Sequence, residues 1–438
     1  MPSERYYQPE IETASRDYLH AIQSARLLEM VRNCCGNVPF YQQKLDAMGL
    51  SPGDIHSIDD LRKLPFTTKQ DLRDNYPFGL FAVPREKLVR IHASSGTTGK
   101  QTVVGYTQED ITKWSEGCAR ALTAAGCTKE DYVHIAYGYG LFTGGLGLHY
   151  GAELLGATAI PVSAGNTKRQ VQILQDFGSN FLCCTPSYAM VIGETIKEMG
   201  IDPKSLAVRG GCFGAEPWTH NMRLEMQRLL DIKAYDIFGL SEVAGPGVSY
   251  ECGALEGLHV CEDYFYPEII DPDTLEPLPD GQYGELVFTC IGKEALPLLR
   301  YRTRDISALT RETCACGRTL VRMQKPRGRS DDMLIIRGVN VFPSQVEHVI
   351  LEQGLDPNYQ IVVERRGSLD VMIVRIEFSE AMFSDSISAI TATEQRLKGA
   401  MLSTLGVSAE IKLVSPRSLP RSEGKAVRVI DNRKLGDK

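Results

Sequence analysis

Residues 132–162 read YVHIAYGYGLFTGGLGLHYGAELLGATAIPV, and this stretch decides the fold. Short apolar runs occupy 132–136 and 157–162, and the residues between them, 145–155, have the spacing of a helix. Two strands joined by a helix predict a parallel βαβ unit, because parallel strands need a long crossover connection. The pattern continues along the chain, with a strand at 181–185 and helices near 107–125, 168–177 and 188–199. The sequence therefore predicts an α/β fold whose larger part consists of βαβ units.

The pattern changes near residue 260. Apolar segments at 269–273, 278–282 and 284–289 are separated by Asp-Pro and Asp-Gly turns, which predicts a β-rich subdomain over 250–325. Further on, a short hairpin, a helix from Pro343, a strand at 370–378 and a helix from Ala389 predict a compact α+β unit.

A domain boundary is expected near Asp331. It lies within KPRGRSDD (325–332), a polar and charged segment that suits a hinge. The predicted architecture is a large N-terminal domain, 1–330, followed by a small mobile α+β C-terminal domain, 331–438.

Composition excludes several classes of protein. The 438 residues carry a formal net charge of −7, so there is no general basic surface to attract nucleic acid. No apolar run reaches the roughly 18 residues that span a bilayer. The N-terminal sequence MPSERYYQPEIE also lacks the apolar core of a signal peptide. We therefore expect a cytoplasmic protein with neither a nucleic-acid nor a membrane partner.

The loop HASSGTTGK (92–100) combines hydroxyls, glycines and one lysine. It differs from a Walker phosphate loop, because two residues separate Gly96 from Gly99 where four are required, and Gln101 follows Lys100 where Ser or Thr would bind magnesium. The following residues read as a strand, whereas a Walker loop opens a helix, so this loop is expected to join two strands. Its glycines, hydroxyls and lysine still suit a triphosphate, although a hydroxyl-rich hairpin turn would have the same composition.

The twelve cysteines divide into two groups. Because the cytoplasm keeps thiols reduced, we expect no disulfide framework, and most cysteines should be buried as small apolar residues. Cys314 and Cys316 instead form a tight pair on a turn, and Cys252 and His259 lie upstream in ECGALEGLHV. Three thiolates and one imidazole are typical of a structural zinc site, with Cys261 as the substitute if Cys252 points away.

Seven motifs occur in order along nearly the whole chain. They are SSGTTGK (94–100), YGYGLFTGG (137–145), FGAEP (213–217), DIFGLSE (236–242), YRTRD (301–305), GRSDDMLIIRGVNVFP (328–343) and SEGKAVRV (422–429). Through them the chain resembles the adenylate-forming ligases, and within that superfamily the phenylacetate-CoA ligases. One such motif would be a weak signal, whereas seven in sequence are specific. Some phenylacetate-CoA ligases also carry zinc at the cysteine-rich position.

The resemblance implies a two-step reaction. A carboxylate attacks the α-phosphate of ATP to give an acyl-adenylate and pyrophosphate, and the thiol of coenzyme A then displaces AMP. Such chemistry depends mostly on positioning and on neutralising charge. It implies ATP, Mg²⁺ and coenzyme A as cofactors or co-substrates, and an aromatic carboxylic acid as the substrate.

The resemblance also assigns the nucleotide site. Glu242 is expected to hold Mg²⁺, although alone it reads as a helix-start glutamate after the capping residue Ser241. Asp305 is expected to bind the ribose hydroxyls, with a surface ion pair to Arg302 or Arg304 as the alternative. Phosphate-loop residues are Ser94, Ser95, Gly96, Thr97, Thr98, Gly99 and Lys100. Residues bordering the adenine and adjoining it are Gly214, Ala215, Glu216, Pro217, Asp236, Ile237, Phe238, Gly239 and Ser241, with Phe238 where many relatives carry tyrosine.

Four residues of the expected hinge and the C-terminal part receive roles from the same resemblance. Lys425 would bridge the attacking carboxylate and the α-phosphate, whereas composition alone would make it a solvated lysine. Arg329 would lie near the ribose and phosphate, and Asp331 at the pivot of a domain rotation between the two steps. After that rotation, Gly338 would line the passage for the pantetheine arm, and Lys425 would have left the site.

The acid pocket is assigned to Gly214 and to the aromatic residues of YGYGLFTGG, which are Tyr137, Tyr139 and Phe142. Rings at this spacing would also fit a simple core. An aryl or arylacetic acid is the expected substrate class. Transfer to a carrier protein instead of coenzyme A, and a non-enzymatic zinc-stabilised binding protein, remain as alternatives. The resemblance also makes a homodimer plausible.

Overall fold

The computed structural model describes residues 5–94, 101–328, 334–337, 339–366, 369–378, 387–420 and 427–433. Within these ranges the chain forms eleven α-helices and twenty strands. Among the described residues, no helix is both long and apolar enough to cross a membrane.

The N-terminal part is helical. Its helices are α1 (Pro9–Glu12), α2 (Arg16–Asn37), α3 (Pro39–Ala47) and α4 (Lys69–Asp74). The Ser15 hydroxyl caps α2 by accepting a hydrogen bond from the Tyr18 amide, and Pro39 begins α3 at a position where no amide donor is needed.

A large twisted sheet forms the centre of the molecule. The hairpin β1 (Arg90–Ala93) and β2 (Val103–Tyr106) precedes it. Its parallel strands are β3 (Tyr132–Ile135), β4 (Thr158–Ile160), β5 (Phe181–Cys184), β6 (Gly210–Gly214) and β7 (Lys233–Leu240), in the order β4-β3-β5-β6-β7. The helices around them are α5 (Gln108–Ala124), α6 (Gly144–Leu155), α7 (Thr167–Asp176), α8 (Pro186–Glu198) and α9 (His220–Leu230). The predicted βαβ units are confirmed.

Helices cover both faces of this sheet. Along β5, Phe181 and Cys183 belong to one hydrophobic core, and Leu182 and Cys184 belong to another. The first core contains residues of α5 and α6, and the second contains residues of α7, α8 and α9. Because successive side chains of a strand point to opposite faces, this division makes the domain a three-layer α/β structure.

The predicted β-rich stretch divides between two sheets. Strands β8 (Gly245–Tyr250), β9 (Leu258–Val260), β13 (Leu309–Thr310) and β14 (Arg322–Met323) extend the large sheet to nine strands, all by antiparallel pairing beyond β7. Strands β10 (Tyr266–Ile270), β11 (Gly284–Thr289) and β12 (Tyr301–Ser307) form a separate antiparallel sheet. The segment 278–282 is a turn region and not a strand of its own.

The C-terminal part has its own core. Its elements are β15 (Leu334–Ile336), β16 (Val339–Val341), α10 (Pro343–Glu352), β17 (Tyr359–Arg366), β18 (Leu369–Glu377), α11 (Ile387–Leu405), β19 (Ala409–Val414) and β20 (Val429–Asp431). Four of the strands form a sheet in the order β19-β18-β17-β20, and residues of α10 and α11 pack against it. Strand β17 has no counterpart in the sequence prediction. The predicted boundary at Asp331 lies outside the described residues and stays a prediction.

Candidate active site

Three of the sequence motifs meet at the carboxyl edge of the parallel strands. Strands β3, β6 and β7 end there, and the segments that follow parallel strands meet at one edge of a sheet. The Gly214 amide, at the end of β6, donates to the Tyr137 hydroxyl at 2.9 Å. The hydroxyls of Thr143, before α6, and Ser241, after β7, lie 3.2 Å apart. The structure therefore brings together motifs that are separated by about a hundred residues, as the 98-residue interval of the last pair shows.

Glu242 joins this edge to the base of the glycine-rich hairpin. Its carboxylate is buried and lies 3.2 Å from the Thr102 hydroxyl, which is itself 2.7 Å from the Ser94 hydroxyl. The amides of Ser94 and Thr102 each bind an oxygen of the other residue. Two hydroxyl side chains thus lie side by side where the hairpin begins and ends, next to a buried carboxylate.

The turn that carries Glu242 is held by side-chain donors on three different elements. The Lys293 ammonium donates to the Val243 carbonyl at 3.0 Å, the Tyr106 hydroxyl donates to the Ala244 carbonyl at 3.0 Å, and the Trp114 indole donates to the Pro246 carbonyl at 2.9 Å. Burial lowers the pKa of Lys293, and the nearby carboxylate of Asp110 opposes that shift. The position of Glu242 is therefore fixed by buried hydrogen bonds that are costly to break.

Lys69 is a further candidate site residue, which no sequence motif predicts. Its ammonium lies 3.6 Å from the Glu242 carboxylate, which places a positive charge beside the carboxyl edge of the sheet. Lys69 begins α4 directly after Thr68, whose hydroxyl and the Asp71 carboxylate form a reciprocal cap. The capping pattern marks the start of the helix, but nothing in it marks this lysine as close to Glu242.

The segment assigned to the adenine, FGAEP (213–217), lies at a point of close backbone approach. A Cβ atom on Gly214 would lie 1.9 Å from the Ile237 carbonyl oxygen, so only glycine fits beside β7. Gly239 has the same requirement, because its Cβ would lie 1.7 Å from the Gly245 carbonyl oxygen. Ala215 follows with a φ of 71°, in the left-handed region.

The two charged residues assigned to the surroundings of the adenine, Glu216 and Asp236, have protein partners. The Glu216 carboxylate accepts a hydrogen bond from the Ser187 amide at 2.6 Å, at the start of α8. The Asp236 carboxylate pairs with the Lys325 ammonium at 2.9 Å. Both partners fix the carboxylate side chain in place. Pro217 and Phe238 adjoin them, and the Phe238 ring packs near a phenylalanine of β11 at a centroid distance of 6.4 Å.

Asp305 lies on β12 and is partly exposed. Its amide donates to the Thr303 hydroxyl at 3.0 Å. Arg302 and Arg304 are the arginines that the sequence offers as ion-pair partners of Asp305. Both bind the buried carboxylate of Glu285. The ribose contact of Asp305 stays a prediction.

The rings assigned to the acid pocket surround the start of α6. A Cβ on Gly144 would lie 2.5 Å from the Phe142 ring and 3.2 Å from the Tyr137 ring, and a Cβ on Gly145 would lie 3.1 Å from the Tyr139 ring. The two glycines therefore let all three rings approach the helix backbone. Tyr137 is buried, and Tyr139 is half-buried with its hydroxyl 3.3 Å from His149 Nδ1.

Several predicted site residues lie outside the described residues. They are Ser95, Gly96, Thr97, Thr98, Gly99, Lys100, Arg329, Asp331, Gly338 and Lys425. Their roles stay predictions, whereas Ser94 and Thr102 fix the two ends of the hairpin that contains six of them.

The predicted metal ligands form a compact cluster away from this edge. The Cys252 sulfur lies 3.7 Å from the Cys314 sulfur and 3.3 Å from His259 Nε2, and the Cys316 sulfur lies 3.5 Å from the same nitrogen. All four ligand atoms lie within 4.8 Å of one another. The fifth candidate, Cys261, directs its buried thiol to the Gly247 carbonyl instead.

The N-terminal helix α1 holds the turn that carries two of these cysteines. Glu12 is fully buried, and its carboxylate accepts a hydrogen bond from the Arg318 guanidinium at 2.6 Å. The Tyr6 hydroxyl donates to the Cys316 carbonyl at 2.7 Å, and the Glu12 carbonyl accepts from the Thr319 amide at 3.0 Å. The cluster therefore lies where the N-terminal segment and the extended sheet meet.

Comparison with known proteins supports a single family. Residues 39–291 match the family described as AMP-binding enzyme, and residues 338–433 match the AMP-binding enzyme C-terminal domain. Phenylacetate-coenzyme A ligase of Escherichia coli (strain K12) is 53% identical over 428 residues, which cover 97% of each chain. The protein of the same name from Thermus thermophilus is 50% identical over 98% of this chain and all of its own.

A solved relative in two states indicates how the two parts of the chain are arranged. A 2-hydroxyisobutyryl-CoA ligase in the postadenylation state, 28% identical, superposes with a TM-score of 0.92 over 98% of this chain and 93% of its own. The same ligase in its thioesterification state, with coenzyme A, covers the same shares with a TM-score of 0.72. The arrangement described here is thus closer to the postadenylation state. With its two matched domains and its near-complete relatives, this chain belongs to the AMP-binding, adenylate-forming enzymes and, within them, to the phenylacetate-CoA ligase family.

Proposed function

We propose that this protein is an AMP-forming acid–thiol ligase that joins phenylacetate to coenzyme A at the expense of ATP. A carboxylate oxygen of the acid attacks the α-phosphorus of ATP and pyrophosphate leaves. The thiol sulfur of coenzyme A then attacks the carbonyl carbon of the adenylate and AMP leaves. The observation that carries the proposal is the contact of Glu242 with the base of the 94–102 hairpin, in a chain about half identical to named phenylacetate-CoA ligases over nearly its whole length.

Magnesium is the metal that suits the Glu242 edge. A buried carboxylate beside the Ser94 and Thr102 hydroxyls is a set of hard oxygen donors, which Mg²⁺ prefers. A bound Mg²⁺ would neutralise charge on the phosphate oxygens. Glu242 would hold the ion, and Lys69 would place a further positive charge beside it, at 3.6 Å from the same carboxylate.

The remaining nucleotide contacts are proposed from the family motifs. Lys100 and the hydroxyls of the hairpin would bind the β- and γ-phosphates, and Asp305 would bind the ribose. Lys425 would neutralise the charge that develops between the acid and the α-phosphate. Arg329 would lie near the ribose and phosphate. In the second step Gly338 would line the pantetheine passage, after a rotation of the C-terminal part about Asp331.

The aromatic group of the acid would bind near the start of α6. Tyr137, Tyr139 and Phe142 lie around Gly144 and Gly145, beside Gly214 at the end of β6. Ring faces that meet at a glycine-lined backbone suit a flat aromatic substrate.

Zinc is the proposed occupant of the cysteine and histidine cluster. In tetrahedral zinc with metal–sulfur bonds of about 2.3 Å and metal–nitrogen bonds of about 2.0 Å, neighbouring ligand atoms lie about 3.5–3.8 Å apart. Three of the six separations in the cluster, at 3.3–3.7 Å, are close to that geometry, and all six are within 4.8 Å. Because four protein ligands leave no open position, the metal would be structural. Chelator-washed protein should retain about one equivalent of zinc. The Cys314→Ser variant should lose the zinc, and the control variant Cys261→Ser should keep it. Less than about half an equivalent of zinc in the unaltered protein would contradict the site.

A homodimer and a cytoplasmic location are further proposals that rest on the family and the sequence. Light scattering coupled to gel filtration tests the first, and a mass of one chain at micromolar concentration would contradict it.

Pyrophosphate release tests the function itself. We expect phenylacetate and ATP to release pyrophosphate without coenzyme A, and thioester to form only when coenzyme A is added. Benzoate and ring-substituted phenylacetates define the width of the pocket. Pyrophosphate release without any thioester would favour a carrier-protein acceptor, and no pyrophosphate with any aryl acid would contradict the proposal.

A further inference from the structure

Glu347 is a buried carboxylate at the surface where the C-terminal part meets the large domain. It lies on α10 and is 4% exposed. Leu351, one turn further on, packs against the core of α7, α8 and α9, and the Ser344 hydroxyl donates to the Arg327 carbonyl at 2.7 Å. Helix α10 thus rests on the large domain, with Glu347 enclosed between the two. A carboxylate in such a place requires a partner or a function.

Charged and polar groups face Glu347 from both sides. The C-terminal part contributes the Arg428 guanidinium, at 4.0 Å, and Tyr359 of β17. The large domain contributes Glu216 and Thr219, which precede α9, and Lys325. Burial raises the pKa of Glu347, and Arg428 opposes that rise. At 4.0 Å, Arg428 is the only full ion-pair partner of Glu347 among the described residues.

Arg428 is fixed by the C-terminal sheet. Its guanidinium lies 4.6 Å from the centre of the Tyr359 ring and donates to the Tyr359 carbonyl at 3.4 Å. Its own carbonyl accepts a hydrogen bond from the Ile361 amide at 2.7 Å. Arg428 follows Lys425 by three residues in the sequence, so the contacts of Arg428 lie close to Lys425 along the chain.

We propose that Glu347 and Arg428 are a positioning pair for adenylation. The carboxylate, enclosed while α10 rests on the large domain, holds Arg428 and with it the Lys425 segment. The arrangement described here superposes better on the postadenylation state of a relative than on its thioesterification state. A rotation of the C-terminal part would carry Glu347 away from Glu216, Thr219 and Lys325 and would carry Lys425 out of the site, so the pair acts in the first step and not in the second. This inference rests on the proposed function, and in particular on the role of Lys425.

Separate measurement of the two half-reactions tests the pair. Glu347→Gln keeps the shape of the side chain and removes its charge, and Arg428→Ala removes the partner. Because interaction energies between coupled residues correspond to about 3-fold to 100-fold in rate, we expect each variant to slow pyrophosphate release by roughly 5-fold to 50-fold. Thioester formation from supplied phenylacetyl-adenylate and coenzyme A should stay within about twofold of the unaltered protein. The double variant should be no slower than the slower single variant.

Glu410→Gln is the matched control. Glu410 pairs with Arg366 at 2.8 Å on the exposed side of the same C-terminal sheet, so its loss should change neither half-reaction. Three results would contradict the proposed role of the pair. They are an equal slowing of both half-reactions in Glu347→Gln, an unchanged rate of pyrophosphate release in that variant, and a slowing in Glu410→Gln as large as that in Glu347→Gln. Failure of the proposed function is distinguishable, because the unaltered protein would then release no pyrophosphate and Lys425→Ala would change nothing.

Discussion

Two buried carboxylates are held in opposite ways. Glu242 belongs to a turn whose next carbonyls are bound by Lys293, Tyr106 and Trp114, all at 3.0 Å or less. Glu347 is equally buried, but its charged partner lies 4.0 Å away, and it is enclosed by groups of the large domain as well as by Tyr359 of its own C-terminal part. The first arrangement suits a site that must keep one geometry. The second suits a contact that forms in one step of a reaction and is released in the next.

The largest effect is expected in the C-terminal part, which contains Glu347. Lys425→Ala should slow adenylate formation on the order of 10²-fold to 10³-fold, because a positioned charge is lost from the transition state. Thioester formation from supplied adenylate should remain largely intact. Rapid-quench measurement of pyrophosphate and of thioester gives the two rates, and equal losses in both would remove the proposed role.

At the turn that holds Glu242, the variant Glu242→Gln should slow adenylation by on the order of 10²-fold, because an amide binds Mg²⁺ more weakly than a carboxylate does. The variant should also need a higher magnesium concentration for half-maximal pyrophosphate release. A magnesium titration checks both. An unchanged magnesium requirement would show that Glu242 holds its turn in place without binding the ion.

Lys293→Met tests whether the turn depends on its donors. The change removes the hydrogen bond to the Val243 carbonyl and should lower the free energy of unfolding by about 1–3 kcal/mol, since the carbonyl stays buried without that donor. The apparent Km for MgATP should rise several-fold while the Km for coenzyme A stays constant. Urea unfolding and steady-state kinetics check these effects. Equal changes in both Km values would contradict a local role.

The smallest effect is expected at the rim of the domain interface. Arg417 of the C-terminal part pairs with Glu198 of α8, and both side chains are largely exposed. Arg417→Ala should change either half-reaction by less than about twofold, because exposed ion pairs contribute little. A loss as large as that of Glu347→Gln would mean that the whole interface, and not its buried pair, positions Lys425.

The sequence predicted those features that depend on local pattern. The strand and helix periods of 132–162 indicated the parallel units, and the failed Walker spacing of 92–100 indicated the hairpin that β1 and β2 form. The four metal-ligand candidates were also identified, because zinc chemistry restricts the residue types so strongly. Each of these signals is contained in a short stretch of chain or in a small set of residue types.

Features set by long-range packing were missed. Thr102, Lys69 and Lys293 have ordinary surroundings in the sequence, and only the fold brings them to Glu242 and its turn. Strand β17 was missed because its apolar run is only Ile361 to Val363, flanked by polar and charged residues. The division of the 250–325 stretch between two sheets depends on pairing with β7, which no local pattern records.

The most direct test is a crystal structure of the protein with Mg²⁺ and a non-hydrolysable ATP analogue. We expect the β- and γ-phosphates to lie inside the 94–102 hairpin and the metal to bind the Glu242 carboxylate beside Thr102. Phosphates bound elsewhere, with the hairpin and Glu242 both facing away from the nucleotide, would contradict it.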